Sequence, residues 1–335
     1  MPETPREEPR RAAITGVATY VPDCVVTNAD LARTLDTSDE WIVTRTGIRE
    51  RRRAASGETT SAMGAEAVRR LLAAKGLGPD QVDVLIVATV TPDMLFPATA
   101  CLIQERLGLE RVWGFDVSAA CSGFLYALTT GAQFVASGVH RRVVVVGADT
   151  MSAIIDPLDR TTAVLFGDGA GAVLLERADP GFGLLDFYHE VDGSGREDLL
   201  MPAGGSLRPA TAETVAAREH FLRQNGRTVF KFAVSRMAES VERVLQRNGL
   251  TTADVAVVIP HQANQRILDA TADHLGLPRE RMASVIGRYG NTTAATLPLA
   301  LEDVVRAGRL TRGDFVVFVA VGAGFTVGAS LVRWG

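Results

Sequence analysis

The chain carries an internal duplication. Leu72-Ala73-Ala74-Lys75-Gly76-Leu77 followed by Val82-Asp83-Val84-Leu85-Ile86-Val87 returns as Leu245-Gln246-Arg247-Asn248-Gly249-Leu250 followed by Val255-Ala256-Val257-Val258-Ile259-Pro260. The glycines (76 and 249) and the strand starts (82 and 255) share one offset, 173 residues, about half the chain. Ser137-Gly138 before Val143 to Val146 is matched in the same way by Ala307-Gly308 before Phe315 to Val319. Each copy reads as helix, glycine stop, turn and continuous apolar strand, which indicates parallel strands covered by helices on both faces. Two such α/β halves should pack about an approximate twofold axis, and Asp179-Pro180-Gly181-Phe182-Gly183 breaks the periodicity where they join. The expected division is a disordered tail over 1–12, a first half over 13–180 and a second half over 181–335.

With 335 residues, the chain can bury a core in each half. A net charge of −4 and sparse aromatics argue against a nucleic-acid partner. Cys24, Cys101 and Cys121 give neither a disulfide framework nor metal-ligand spacing, which suits a reducing cytoplasm and predicts no metal. The opening MPETPREEPRRA lacks an apolar core and reads as a tail rather than an export signal. The most apolar runs, Val84 to Val90 and Phe315 to Val321, are far short of the about 20 residues that span a bilayer, so membrane insertion is not expected.

Applied to Cys121, the offset leads to position 294, so Ser118-Ala119-Ala120-Cys121-Ser122-Gly123 corresponds to Gly290-Asn291-Thr292-Thr293-Ala294-Ala295. Both turns open helices, and symmetry should bring them to one seam. Cys121 would then sit where unpaired N–H groups and the positive end of a helix favour a thiolate nucleophile. His261 ends its strand within Pro260-His261-Gln262-Ala263-Asn264 and should face the same seam as a base, with Asn291 supplying an amide. Gly322-Ala323-Gly324 ends the last long strand, where small residues let backbone N–H groups approach a reacting carbonyl. Cys101, in an apolar helical stretch, and Cys24 read as inert. His140 and His220 read as solvated, and His189 and His274 as structural. Phe166-Gly167-Asp168-Gly169-Ala170-Gly171 leads into a strand rather than a helix and reads as a turn, not a phosphate loop.

Together with Ser38-Asp39-Glu40-Trp41-Ile42-Val43-Thr44-Arg45-Thr46-Gly47-Ile48, Asp159-Arg160 and Tyr289-Gly290-Asn291-Thr292, these segments resemble β-ketoacyl-acyl carrier protein synthase III, from about Ala13 to Trp334. The resemblance implies a thiolase-like fold, with two duplicated α/β halves in a layered α-β-α-β-α arrangement. It also implies a Cys121-His261-Asn291 triad, an oxyanion hole from the N–H groups of Cys121 and Ala323, and coenzyme A held by Trp41, Arg45 and Arg160. A homodimer would bring Phe96 to the partner's acyl pocket beside Ile154 and Ile155, and carrier protein would dock through Lys231 and Arg266. The implied reaction starts fatty acid synthesis. An acyl-CoA primer esterifies Cys121, malonyl-acyl carrier protein loses CO2, and neutral His261 and Asn291 donate hydrogen bonds to the enolate that attacks the acyl-cysteine. Coenzyme A is substrate here, and no cofactor is required. Some positions depart from the common pattern: Val321 stands where an aromatic is common, Val327 where Trp is common, Ala323 where glycine is common, and Asp269, Asp273 and His274 where relatives often present more lysine or arginine.

Three other readings compete. A secondary-metabolism acyltransferase of the same fold would pass the acyl group to an alcohol or amine, but retention of Asn291 favours condensation. A papain-like cysteine hydrolase also runs Cys, His, Asn in chain order, yet it lacks the duplication. A non-catalytic partner subunit of carrier protein would have no need of Cys121.

Overall fold

The protein is described by a computed structural model covering residues 10–335, so most of the expected tail, residues 1–9, lies outside the described residues. Nine principal strands follow in chain order: β1 Ala12–Tyr20, β2 Val84–Ala88, β3 Trp113–Val117, β4 Val143–Asp149, β5 Gly169–Arg177, β6 Gly183–Val191, β7 Val255–Pro260, β8 Phe315–Gly322 and β9 Thr326–Arg333. The principal helices are α1 Asp39–Thr46, α2 Thr60–Lys75, α3 Thr99–Leu107, α4 Gly123–Ala136, α5 Gly226–Arg247, α6 Gln265–Leu275 and α7 Thr296–Arg306. Residues 178–182 connect β5 to β6 and so separate the two sheets.

The sheets repeat one topology. The first has the order β1-β5-β4-β2-β3 and the second β6-β9-β8-β7, and an isolated parallel bridge from Val258 to Met282 occupies the place matching β3. The strands are not all parallel as the helix–strand alternation suggests. Pairs β2/β3, β2/β4 and β7/β8 are parallel, whereas β1/β5, β4/β5, β8/β9 and β6/β9 are antiparallel. The physical reason is plainest at β8 and β9. Only the short turn 323–325 joins them, and a link that short can only reverse the chain.

Side chains alternate across each strand, which makes five layers. Val84, Ile86, Val143 and Val145 of the first sheet, with Val257, Ile259, Val316 and Phe318 of the second, face one central core shared with α4 and α7. Leu85, Val87, Val144 and Val146 face outward under α2 and α3. Val258, Val317 and Val319 face outward under α5 and α6. The layering is therefore α-β-α-β-α, the thiolase-like arrangement, and the two helices that follow the Cys121 and Asn291 turns are its middle layer.

The halves approach closely at Gly147 in β4. A Cβ there would lie 2.3 Å from the carbonyl oxygen of Ala294 and 2.8 Å from its carbon, both backbone atoms of the opposite half. Gly147→Ala should therefore lower stability by about 1–3 kcal/mol through overpacking, read as a drop in the urea midpoint. Gly205→Ala, where nothing lies within 4 Å, is the control and should stay within about 0.5 kcal/mol of wild type. Equal shifts in both variants would contradict this account of the seam.

Candidate active site

Cys121 sits where β3 turns into α4. Residues Ala120–Ser122 form a single 3-10 turn, and Ala120 adopts φ +47°, a left-handed conformation disfavoured for a residue with a Cβ. The second half repeats the device, because Thr293–Ala295 form a 3-10 turn before α7 and Thr293 has φ +52°. Positions 120 and 293 are separated by the duplication offset of 173. Such a residue costs about 1–3 kcal/mol and persists only where its surroundings over-determine it. Here the strain aims the start of a middle-layer helix, with its free N–H groups, at the seam.

Each turn is braced by the other half. A Cβ on Gly322 would approach the amide nitrogens of Cys121 and Ser122 to 2.8 and 3.0 Å, so only glycine lets β8 end against the Cys121 turn. Thr326 Oγ1 donates to Ala119 O at 3.1 Å, and Ser122 Oγ donates to Thr326 O at 3.2 Å. In return Asp149, at the end of β4, accepts from the Ala294 N–H at 3.1 Å. Its other carboxylate oxygen accepts from Val90 N at 2.8 Å, Thr91 N at 3.2 Å, Thr89 Oγ1 at 3.0 Å and Thr91 Oγ1 at 2.9 Å. Burial raises this carboxyl to about 6 even though those hydrogen bonds favour its charge.

His261 is fully buried at the end of β7. Its N–H donates to Val319 O at 2.8 Å, and its Nδ1 lies 2.7 Å from Thr296 Oγ1. The buried Gln262 fixes the peptide beside it, donating to Pro260 O and Ala283 O and accepting from Val285 N at 2.9 Å. Asn291 donates its N–H to Leu165 O at 2.8 Å, while its Oδ1 accepts from Thr293 N at 2.9 Å. That contact commits the oxygen and leaves the Nδ2 donors free. The Phe166 to Gly171 turn belongs to the same construction, because Phe166 bridges to Asn291 and a Cβ on Gly167 would meet Tyr289 O at 2.3 Å.

Cys121, His261 and Asn291 line one cavity of about 280 Å³. Ala323 and Val321 line it too, whereas Val327 is buried in β9 away from it. Among the described residues, neither the Cys121 nor the Ala323 N–H has an acceptor. Burial opposes the thiolate that the helix start was expected to favour. Burial, reinforced by the charge of Asp149, pushes the Cys121 thiol up to about 12. Burial likewise lowers His261 to about 3, so the resting pair is a neutral thiol beside a neutral imidazole.

At the rim, the guanidinium carbons of Arg160 and Arg45 lie 5.2 and 5.8 Å from the Trp41 ring centroid. Trp41 packs on a cluster that includes Ile154, Leu165 and Leu222, which also line the cavity. Ile155 is buried in that cluster. Lys231 and Arg266 are exposed on α5 and α6, and the Arg266 guanidinium stands 5.5 Å from the ring of Phe230, a cavity residue. Phe96 is not among this chain's cavity residues. It is 85% exposed on the loop after β2, beside Leu95. Four side readings change. Cys101 is exposed on α3; His140 is half-buried, 5.7 Å from Trp113 and 5.8 Å from Phe134; His220 is half-buried with Nε2 2.9 Å from Thr214 Oγ1; and His274 is exposed on α6. Asp149, Thr326 and Thr296 were not singled out as site residues from sequence, whereas Gly322 falls in the expected Gly322-Ala323-Gly324 turn. The carboxylate ending the apolar run Val143 to Ala148 was the one available signal. Among the described residues, no group of three or more His, Cys, Asp or Glu is placed to hold a metal.

The neutral imidazole makes stability pH-dependent. An unfolded imidazole titrates near 6.5, whereas folded His261 resists protonation down to about 3, so between those values the unfolded chain holds the extra proton. Stability should fall as pH drops through that window, by up to about 1.4 kcal/mol per unit for such a group. His189, lowered to about 4 by burial, adds to the slope. Urea midpoints at pH 7, 5.5 and 4.5 should show a shallower decline in His261→Gln than in wild type; identical slopes would contradict a buried neutral imidazole.

Comparison with known proteins agrees with this geometry. Residues 115–193 match the family described as 3-Oxoacyl-[acyl-carrier-protein (ACP)] synthase III, and residues 245–334 match its C-terminal family. The chain is 55% identical over 327 residues to a Beta-ketoacyl-[acyl-carrier-protein] synthase III of Solibacter usitatus, covering 97% of this chain and 99% of the relative. It is 53% identical to the protein of that name from Chlorobaculum tepidum, with the same coverage. Among solved structures, the 3-oxoacyl-[acyl-carrier-protein] synthase III of Aquifex aeolicus superposes with a TM-score of 0.89 at 42% identity, covering 96% of this chain and all of that one. The Thermus thermophilus enzyme gives 0.89 at 45% identity, covering 96% and 99%. The fold, the seam between its halves and this likeness along nearly the whole chain lead to one conclusion: the chain belongs to the β-ketoacyl-[acyl-carrier-protein] synthase III family.

Proposed function

We propose that the chain condenses an acyl-CoA primer with malonyl-acyl carrier protein to a 3-oxoacyl thioester, the opening step of fatty acid synthesis, through an acyl group carried on Cys121. One observation carries this reading. A thiol from the first half, with an imidazole and an amide from the second, lines a single cavity. Cys121 attacks the thioester carbonyl as its proton passes to His261, and the developing oxyanion turns toward the free N–H groups of Cys121 and Ala323. Coenzyme A leaves, and its sulfur takes that proton. The malonyl thioester then enters and loses CO2, and the enolate oxygen accepts hydrogen bonds from Asn291 Nδ2 and from a proton on His261. The carbanion attacks the acyl carbon, and the Cys121 sulfur leaves as a thiol. The two steps together release one CO2 and consume one proton.

The unacylated resting thiol fits this order of events. Proton transfer coupled to attack avoids a buried thiolate and imidazolium pair, whose separate desolvation would be costly. A free amide on Asn291 supports condensation over simple acyl transfer, since it offers a second donor to the enolate.

Trp41 is read as the adenine platform, with Arg45 and Arg160 for the anionic part of coenzyme A, and their clustering around the indole ring supports this. Lys231 and Arg266 are exposed on α5 and α6, whose Phe230 and Ile267 line the cavity, and such basic side chains suit an acidic carrier protein. The dimer proposal rests on β3, an edge strand whose Trp113 is 45% exposed, and on the exposed Leu95 and Phe96 nearby in sequence. Pairing such edges would cover them and carry Phe96 to the partner. The halves are taken as 13–180 and 181–335. The setting is read as cytoplasmic; no helix among the described residues is long and apolar enough to cross a membrane.

The roles separate in a decarboxylation assay with malonyl thioester alone. Cys121→Ala should still release CO2, while His261→Ala should lose about a hundredfold or more, in line with loss of an enolate-stabilising donor. Normal CO2 release by His261→Ala would overturn the assignment.

A further inference from the structure

Thr296, the first residue of α7, is 1% exposed, and none of the roles above uses it. Its hydroxyl lies between two partners, 2.7 Å from His261 Nδ1 and 2.9 Å from the carbonyl oxygen of Thr293. The Thr293 carbonyl, which can only accept, takes the Thr296 N–H and also lies within reach of the hydroxyl; with the hydroxyl's one proton directed there, the hydroxyl oxygen faces Nδ1 with its lone pairs. The Thr296 oxygen is then left to accept from a proton on Nδ1. In a neutral imidazole that arrangement leaves the lone pair on Nε2. Thr293 is also the residue held at φ +52°, so the strained turn presents the carbonyl that orients this hydroxyl.

We propose that Thr296 is the positioning residue that keeps the His261 proton on Nδ1, leaving Nε2 as the site's single proton port. The inference rests on the reading of His261 given under Proposed function. In acylation, Nε2 accepts the Cys121 proton and passes it to the departing coenzyme A sulfur. In condensation, Nε2 first takes from solvent the one proton that the reaction consumes; it holds that proton in a hydrogen bond to the enolate oxygen and then transfers it to the departing Cys121 sulfur. The Nδ1 proton stays on Nδ1 throughout, donated in a hydrogen bond to Thr296 Oγ1. The titratable groups around the cavity are Cys121 on its turn and Asp149, which braces the Ala294 turn, with Lys231 and Arg266 exposed on α5 and α6; α7 and β8 contribute Thr296 and the Val319 carbonyl to the histidine. Burial is the sole cause of the imidazole's shift, so no neighbouring charge substitutes for the hydroxyl.

Thr296→Val keeps the shape and removes the hydroxyl. Without an acceptor at Nδ1, the neutral imidazole should move its proton to Nε2, which removes the base but leaves a donor. Single-turnover acylation by acyl-CoA, followed by quenched intact mass, should fall about a hundredfold. Malonyl decarboxylation should stay within about threefold and lose the decline with rising pH expected of wild type, because the donor no longer waits for a proton. Thr296→Ser should restore both behaviours. Imidazole 15N NMR, with His261 assigned by comparison with His261→Ala, should show wild type protonated at Nδ1. That spectrum carries the test if the valine variant does not fold. Wild type protonated at Nε2, or both half-reactions falling by one common factor in Thr296→Val, would overturn the proposal. Normal decarboxylation by His261→Ala would instead sink the parent reading while leaving the Nδ1 assignment intact.

Discussion

The approach of backbone to backbone across the seam governs this structure. Gly322 lets β8 end within reach of the Cys121 and Ser122 amides, and Gly147 lets β4 pass the Ala294 carbonyl. Each strand supports the helix-opening turn of the other half. That mutual support is what can hold Ala120 and Thr293 in left-handed conformations that neither turn would keep alone. The geometry of the cavity follows, because the nucleophile stands on one turn and its partners stand on or beside the other. A single-half fragment would lack both the bracing and half of the chemistry.

Burial then sets the electrostatics. Taking a thiol and an imidazole out of water pushes one up and the other down until both are neutral at ordinary pH. The thiol and the imidazole therefore carry charge only while a substrate is reacting, and the buried carboxylate of Asp149 is the resting charge behind them. The basic side chains Arg45, Arg160, Lys231 and Arg266 are solvent-exposed and line no part of the cavity, which suits the proposed binding of anionic substrates outside it. Coulombic attraction is therefore kept for binding and excluded from the resting reaction centre.

Much of this was legible in the chain. The 173-residue offset paired Cys121 with Ala294 and implied a shared seam, because duplicated patterns fold alike. Strand sense was not legible: a continuous apolar run reports burial on two faces, not the direction of its neighbour, and the turn after Gly322 decides that locally. Asp149 and Thr296 stayed hidden for another reason. Their partners lie 145 and 35 residues away, Ala294 and His261, and no periodicity marks a hydrogen bond of that span. The exposure of Cys101 escaped because an apolar stretch in a helix still has an outer face.

Covalent capture of the primer tests the whole account most directly. Incubating the full chain with a range of acyl-CoA primers, digesting it and mapping the acyl mass should find one adduct, on the peptide that contains Cys121. Acylation confined to the exposed Cys24 or Cys101, or no adduct with any primer, would contradict it.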